Sequence, residues 1–122
     1  MDHESISSFT ELQLLTRTWR ARNFPSDQTP IERAVENTLG VAEESGELAH
    51  AVLKMKQGIR GDVDSLTAEA KDAIGDCIIY LCGVCDNLEL SLHDCVAAAW
   101  HEIEGRDWVK YPLTGKPPKG DE

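Results

Sequence analysis

Basic residues are scarce in this chain. Only 12 Lys and Arg stand against 22 Asp and Glu, for a formal charge of −10. Proteins that grip duplex nucleic acid neutralise its phosphates with clustered cations, so no such partner is expected. Long apolar runs are missing too. None approaches the roughly 20 residues that span a bilayer, so no membrane partner is expected either. The start, Met1-Asp2-His3-Glu4, is acidic and has no basic segment followed by an apolar one, so no secretory leader is read there. The expectation is a soluble cytoplasmic protein. No stretch reads as a convincing strand, no segment repeats, and no Gly-rich loop follows a strand to cradle phosphate. Cysteine is sparse, at four residues. Cys82 and Cys85 form one C-x-x-C, but no second pair stands at zinc-site spacing. Both lie within an apolar helical pattern, as buried reduced thiols would.

What is present is helix. A chain of 122 residues suits one domain and can bury about two thirds of its unfolded surface. Ser8-Phe9-Thr10-Glu11 has the form of a capping box and opens a first helix running to about Arg22. Asn23 to Gln28 is a loop. Thr29-Pro30-Ile31-Glu32 puts a capping Thr, a first-turn Pro and a Glu three after the cap in sequence, so a second helix starts there. It runs to about Gln57, with Gly58 at its C-terminus. Gly61 to Ser65 reads as a turn and Leu66 to Leu88 as a third helix. Ser91 caps a fourth, ending near Asp107. The expected domain covers residues 1–110. Residues 111–122 hold three prolines and two glycines and read as an extended or disordered tail. Four helices with short links predict an all-α, four-helix bundle. The third helix is apolar nearly all round from Cys77 to Cys85, and a helix of that kind is buried on every face. A lone small bundle would leave one side of it wet, so self-association into a dimer or tetramer is expected to complete the bundle.

The acidic residues fall in a pattern. On the second helix, Val41, Leu48, Val52 and Met55 form an apolar stripe, and Glu44 lies at its edge. Glu47 lies a little beyond it and Glu43 further round. Glu43, Glu44 and Glu47 are three and four residues apart, so their like charges are neighbours and repel. On the third helix Glu69, Asp72 and Asp76 fall within roughly a 60° arc, and Asp76 already lies in the run that should be buried. An ionised carboxylate there is costly unless paired or metal-bound. Solvated faces are the ordinary reading of acidic runs, and it suits Glu69, with Glu43 as an exposed neighbour. For Glu44, Glu47 and Asp76 together, a hard divalent cation such as Mg²⁺ is the better reading, because it takes all-oxygen ligands. A di-iron centre is a rival, since Glu47-Leu48-Ala49-His50 has the Glu-x-x-His spacing. That centre needs a second such motif, and none of His3, His93 or His101 has an acid three residues before it. His50 then reads as a surface residue or a neighbour of the ligands.

These residues carry a resemblance. GVAEESGELAHAVLK, then EAKDAIGDCIIYLCGVCDNLEL, with TWRARN upstream and WHEIEGRDWVKYP downstream, resemble the MazG-like nucleotide pyrophosphohydrolases. These belong to the all-α NTP pyrophosphatase superfamily, together with dimeric dUTPases and dCTP pyrophosphatases. The match covers about Thr29 to Lys110. It implies cleavage of a (deoxy)nucleoside triphosphate between its α- and β-phosphates, releasing the monophosphate and pyrophosphate. The family's Glu-Glu-x-x-Glu maps onto Glu43, Glu44 and Glu47, and its closing Asp onto Asp76. Glu43, Glu44, Glu47 and Asp76 are then the catalytic set. Glu44, Glu47, Asp72 and Asp76 are the ligands of Mg²⁺, with Mn²⁺ as an alternative, and Glu43 orients or deprotonates the water. The chain departs from the family three residues before Asp76, where Ala73 replaces the usual Glu. Either Asp72 supplies that oxygen or Glu69-Ala70-Lys71-Asp72 provides the pair one turn earlier.

Triphosphate also calls for cations and base contacts. Lys54, Lys71, Arg106 and Lys110 are the candidates for phosphate, and Asn87 for base or sugar. Lys54, Lys56 and Arg106 equally suit helix C-termini. Trp19, Phe24, Trp100 and Trp108 could stack on a base, or serve the core. Two rival readings stand beside the enzyme: a helical module that binds nucleotide or a partner without turnover, and a dimerisation domain whose acidic face is merely solvated.

Overall fold

The computed structural model describes residues 6–120. The acidic start Met1–Glu4 and His3 lie outside the described residues. Four helices follow in order: α1 (Phe9–Asn23), α2 (Pro30–Gln57), α3 (Val63–Asn87) and α4 (Leu92–Glu104). No strand occurs among the described residues, so the fold is all-α as expected. None of these helices is long and apolar enough to cross a membrane.

The helix ends follow local chemistry. Ser8 caps α1, its Oγ accepting from the Glu11 N–H at 3.1 Å. The reciprocal half of the capping box is replaced, because the Glu11 carboxylate accepts from the Ser7 hydroxyl at 2.6 Å. Thr29 caps α2 with Pro30 in its first turn. Gly58 ends α2 in the left-handed region at φ 70°, donating to the Lys54 and Met55 carbonyls, as a C-terminal glycine does. Helix α3 starts earlier than the expected Leu66. Asp62, read as part of a turn, is its cap and accepts from the Ser65 N–H at 2.8 Å. Helix α4 stops at Glu104 rather than near Asp107.

The residues up to Leu92 and those from His93 form two compact units. In the first, α3 packs on both α1 and α2. The pairing of α2 with α3 has a readable register. Gly40 meets Tyr80, Asn37 meets Gly83, Ser45 lies 3.9 Å from Cys77, and Thr67 lies 3.8 Å from Met55. As α2 advances its partners recede, so the helices are antiparallel. Two glycines permit the close approach. A Cβ on Gly40 would stand 2.4 Å from the Tyr80 ring, and one on Gly83 would stand 2.5 Å from Asn37 Oδ1. Small residues line the rest of the seam, with Ala34 and Ala51 on α2 and Ala70 and Ala73 on α3 all buried.

A separate core gathers Cys82, Cys85 and Leu92, with Leu12, Ile78 and Leu81 packed against it. Cys82 is fully buried and unbridged, and burial pushes its thiol pKa up. The run from Cys77 to Cys85 is buried or half-buried throughout in a single copy. The apolar surface left open lies elsewhere. Ile31, Val35 and Leu39 recur every four residues along α2 at 54–64% exposure, and Leu14, Leu15 and Trp19 are exposed on α1.

A polar clamp fixes α1 to the C-terminal end of α3. Asp86 accepts from Gln13 Nε2 at 2.7 Å, from Arg17 at 2.9 Å and from Arg20. The Gln13 amide also donates to the Leu90 carbonyl and accepts from the Leu92 N–H. Within the second unit, the chain after α4 is folded rather than extended as far as Gly115. The Asp107 carboxylate accepts from the N–H groups of Val109 and Lys110, and Asp107 N–H donates to the Gly115 carbonyl at 2.7 Å. Gly115 takes φ 75°, which closes the loop.

Candidate functional site

Helical spacing builds the site. Glu43, Gly46, Glu47 and His50 stand at i, i+3, i+4 and i+7, so they form one stripe along α2. Glu69 and Asp72 stand three apart on α3. The two sets face each other across a cleft of about 410 Å³. Glu69, read from the sequence as solvated, and His50 both belong to its wall. Their signal was present in the spacing: His50 is one turn beyond Gly46 and Glu47, and Glu69 one turn before Asp72.

Glu44 departs most from the expectation. Rather than edging the apolar stripe, it is buried at 7% exposure, and its Oε2 has no hydrogen-bond partner. Its carboxyl pKa is pushed from the ordinary 4.5 to about 7. Burial is the largest cause, followed by a hydrogen bond with Glu47 and then by the charges of Glu47, Asp76 and Glu43. Asp76 is half-buried, and burial, with the charges of Asp72 and Glu47, raises its pKa as well. Glu43, Glu44, Glu47, Asp72 and Asp76 thus form one electrostatic neighbourhood. Among the described residues, no Lys, Arg or His is ion-paired with any of them. Nor do three His, Cys, Asp or Glu side chains among the described residues converge into a ready-made ligand set. Glu43, Glu47 and Asp72 line the cleft, while Glu44 and Asp76 do not line it and are tied to those acids by charge. Glu44 is the desolvated member of the set and Asp76 is half-buried, whereas Glu43, Glu47 and Asp72 are exposed. An all-oxygen donor set with no cationic partner matches the demands of a hard divalent ion.

This charge has a measurable cost. The native state holds a proton on Glu44 that the unfolded chain releases above about pH 4.5. Stability from this group is therefore full below pH 4.5 and is lost as pH rises toward 7. Asp62 and Glu102 shift downward, so their contributions change only below that window. The melting temperature of EDTA-treated protein is expected to fall between pH 4.5 and 7.5, and Glu44→Gln to flatten that slope. A profile that rises over the window in the wild type would contradict the placement of Glu44.

The other expected site residues are scattered. Ala73 is buried in the seam at 1% exposure, so the position where the resembling family carries Glu faces the core, while Glu69 and Asp72 reach the cleft. Lys71 is exposed on α3 beside Asp72. Lys54 lies one turn beyond His50, its Nζ donating to Gln57 Oε1 at 2.9 Å. Asn87 is eleven residues past Asp76, about 16 Å along the helix axis, and its amide caps the Gly83 carbonyl at 2.8 Å. Arg106 and Lys110 belong to the second unit. Arg106 pairs with Glu102 at 3.2 Å and lies over the Trp108 ring, and Lys110 lies over Tyr111. Trp19 and Phe24 pack edge to face on one another, with ring centres 5.5 Å apart. No family model, curated protein or solved structure matches the chain.

Proposed function

We propose that this chain is a metal-dependent nucleoside triphosphate pyrophosphohydrolase of the MazG-like kind, acting on the cytoplasmic nucleotide pool. One observation carries the proposal: Glu44 is buried with an unpartnered carboxylate oxygen, among four further acids with no basic partner. Such a cluster makes sense when a cation completes it.

Glu44, Glu47, Asp72 and Asp76 would hold Mg²⁺ or Mn²⁺, with Glu69 beside Asp72 on the α3 wall. Bound there, the ion would neutralise triphosphate charge and make water more acidic. Glu43 is exposed on the cleft wall and free to meet solvent. It takes a proton from the attacking water while the water oxygen bonds to phosphorus. The bridging bond between the α- and β-phosphates breaks, and pyrophosphate leaves with the electron pair. Of the candidate cations, Lys54 and Lys71 stand on the two helices that form the cleft and are the ones proposed to meet phosphate.

The test is pyrophosphate release from common and modified (d)NTPs, with Mg²⁺ and with EDTA. Release that EDTA abolishes is expected for at least one of them. Binding of triphosphate without release would instead favour the non-catalytic module, and neither binding nor release would remove both readings. Self-association belongs to the proposal, with the exposed stripe Ile31, Val35 and Leu39 as the surface to cover. A monomer by sedimentation velocity at micromolar concentration would remove that part.

A further inference from the structure

Gly46 stands in the middle of the acidic stripe of α2, between Glu43 and His50, and it lines the cleft. The fold gives no reason for a glycine there. It lies inside a 28-residue helix, where glycine is disfavoured against alanine. Its φ is not in the left-handed region, as those of Gly58 and Gly61 are. No close helix approach needs it: a Cβ built there would meet nothing within 4 Å, whereas at Gly40 and Gly83 a neighbour already fills the space. Gly75 inside α3 is equally open but does not line the cleft, so what sets Gly46 apart is the volume it leaves free there.

We propose that Gly46 is a positioning residue for the ligand. Its missing side chain opens a notch in the α2 wall through which the phosphate chain of the nucleotide, carrying its divalent cation, lies directly against the helix. The proposal rests on the pyrophosphohydrolase reading. Acids flank the notch on both sides, so a bare phosphate is repelled there and a metal-neutralised one is admitted. A side chain at this position occupies the space of the phosphates while leaving every carboxylate in place.

The experiment compares wild type, Gly46→Ala and Gly46→Leu in two measurements. The first is thermal melting of the metal-free protein. The second is calorimetric binding of α,β-imido analogues of the four common deoxynucleoside triphosphates and dUTP, with Mg²⁺. Gly46→Ala is expected to melt about 3 °C higher than wild type, since it gains helix propensity without a clash. Binding is expected to weaken with side-chain size, by about tenfold or more for Gly46→Leu. A lower melting temperature for Gly46→Ala would make the glycine a requirement of the fold and overturn the proposal. Unchanged affinity in Gly46→Leu would overturn it while leaving the pyrophosphohydrolase reading intact. Wild type that binds none of the analogues would overturn both.

Discussion

Asp76→Asn and Glu44→Gln are each expected to lower metal-dependent pyrophosphate release by about 10²–10³-fold, because a bound ion supplies several kcal/mol of charge stabilisation and each 1.36 kcal/mol is tenfold in rate. Both substitutions keep side-chain size and remove the negative charge. Both remove it from a place where it is costly: Glu44 is buried with an unpartnered oxygen, and the pKa of Asp76 is raised by burial and by Asp72. The metal-free variants should therefore melt no lower than wild type at pH 7, while their activity collapses. Opposite signs in the two measurements separate a ligand from a structural carboxylate, which would lose stability along with activity. Circular dichroism of each variant is the control that its helices persist. Wild-type rates in both variants would end the assignment of these residues.

The second large effect lies far from the cleft. Asp86→Ala is expected to cost about 3 kcal/mol, the lower end for removing one partner of a buried charge pair. That corresponds to roughly 10 °C in melting temperature for a chain of this size. The Asp86 side chain is 11% exposed and gathers Gln13, Arg17 and Arg20. Without it, the Arg20 guanidinium, whose Nη1 is already buried and unpartnered, loses its counter-charge. Arg17 is different, at 58% exposure. Exposed pairs are worth about 0–1 kcal/mol, so Arg17→Ala should cost less than about 1 kcal/mol. Urea unfolding of the two variants checks this. Equal losses would mean that the clamp is held from its solvent side rather than from within.

Where sequence reading succeeded, the information was local. The bounds of α2 are written in Thr29, Pro30 and Gly58, each acting within one turn of itself. The acidic stripe is legible for the same reason, since side chains three and four apart on a helix are neighbours whatever surrounds them. Reading failed where the deciding partner is distant in the chain. Gln13 and Asp86 are 73 residues apart, and nothing near either announces the other. Asp62 was hidden by its setting, because Gly61 and Ser65 make a capping aspartate look like part of a turn. The burial of Glu44 depends on α3 lying close above α2, which Gly40 and Tyr80 decide. Gly46 carries no signal of its own within Glu-Glu-Ser-Gly-Glu, and it acquires meaning only once the wall it interrupts is known.

The contacts that set the position of α2 along α3 involve no carboxylate. Gly40 against Tyr80 and Gly83 against Asn37 fix the register through shape, while the acids nearby push the helices apart. Scaffold and chemistry are therefore written in separate alphabets on the same two helices. The acidic letters can be exchanged, one by one or together, without rebuilding the frame that holds them. A lineage descended from such a chain could rewrite the acidic face of these helices and still fold as its ancestor did.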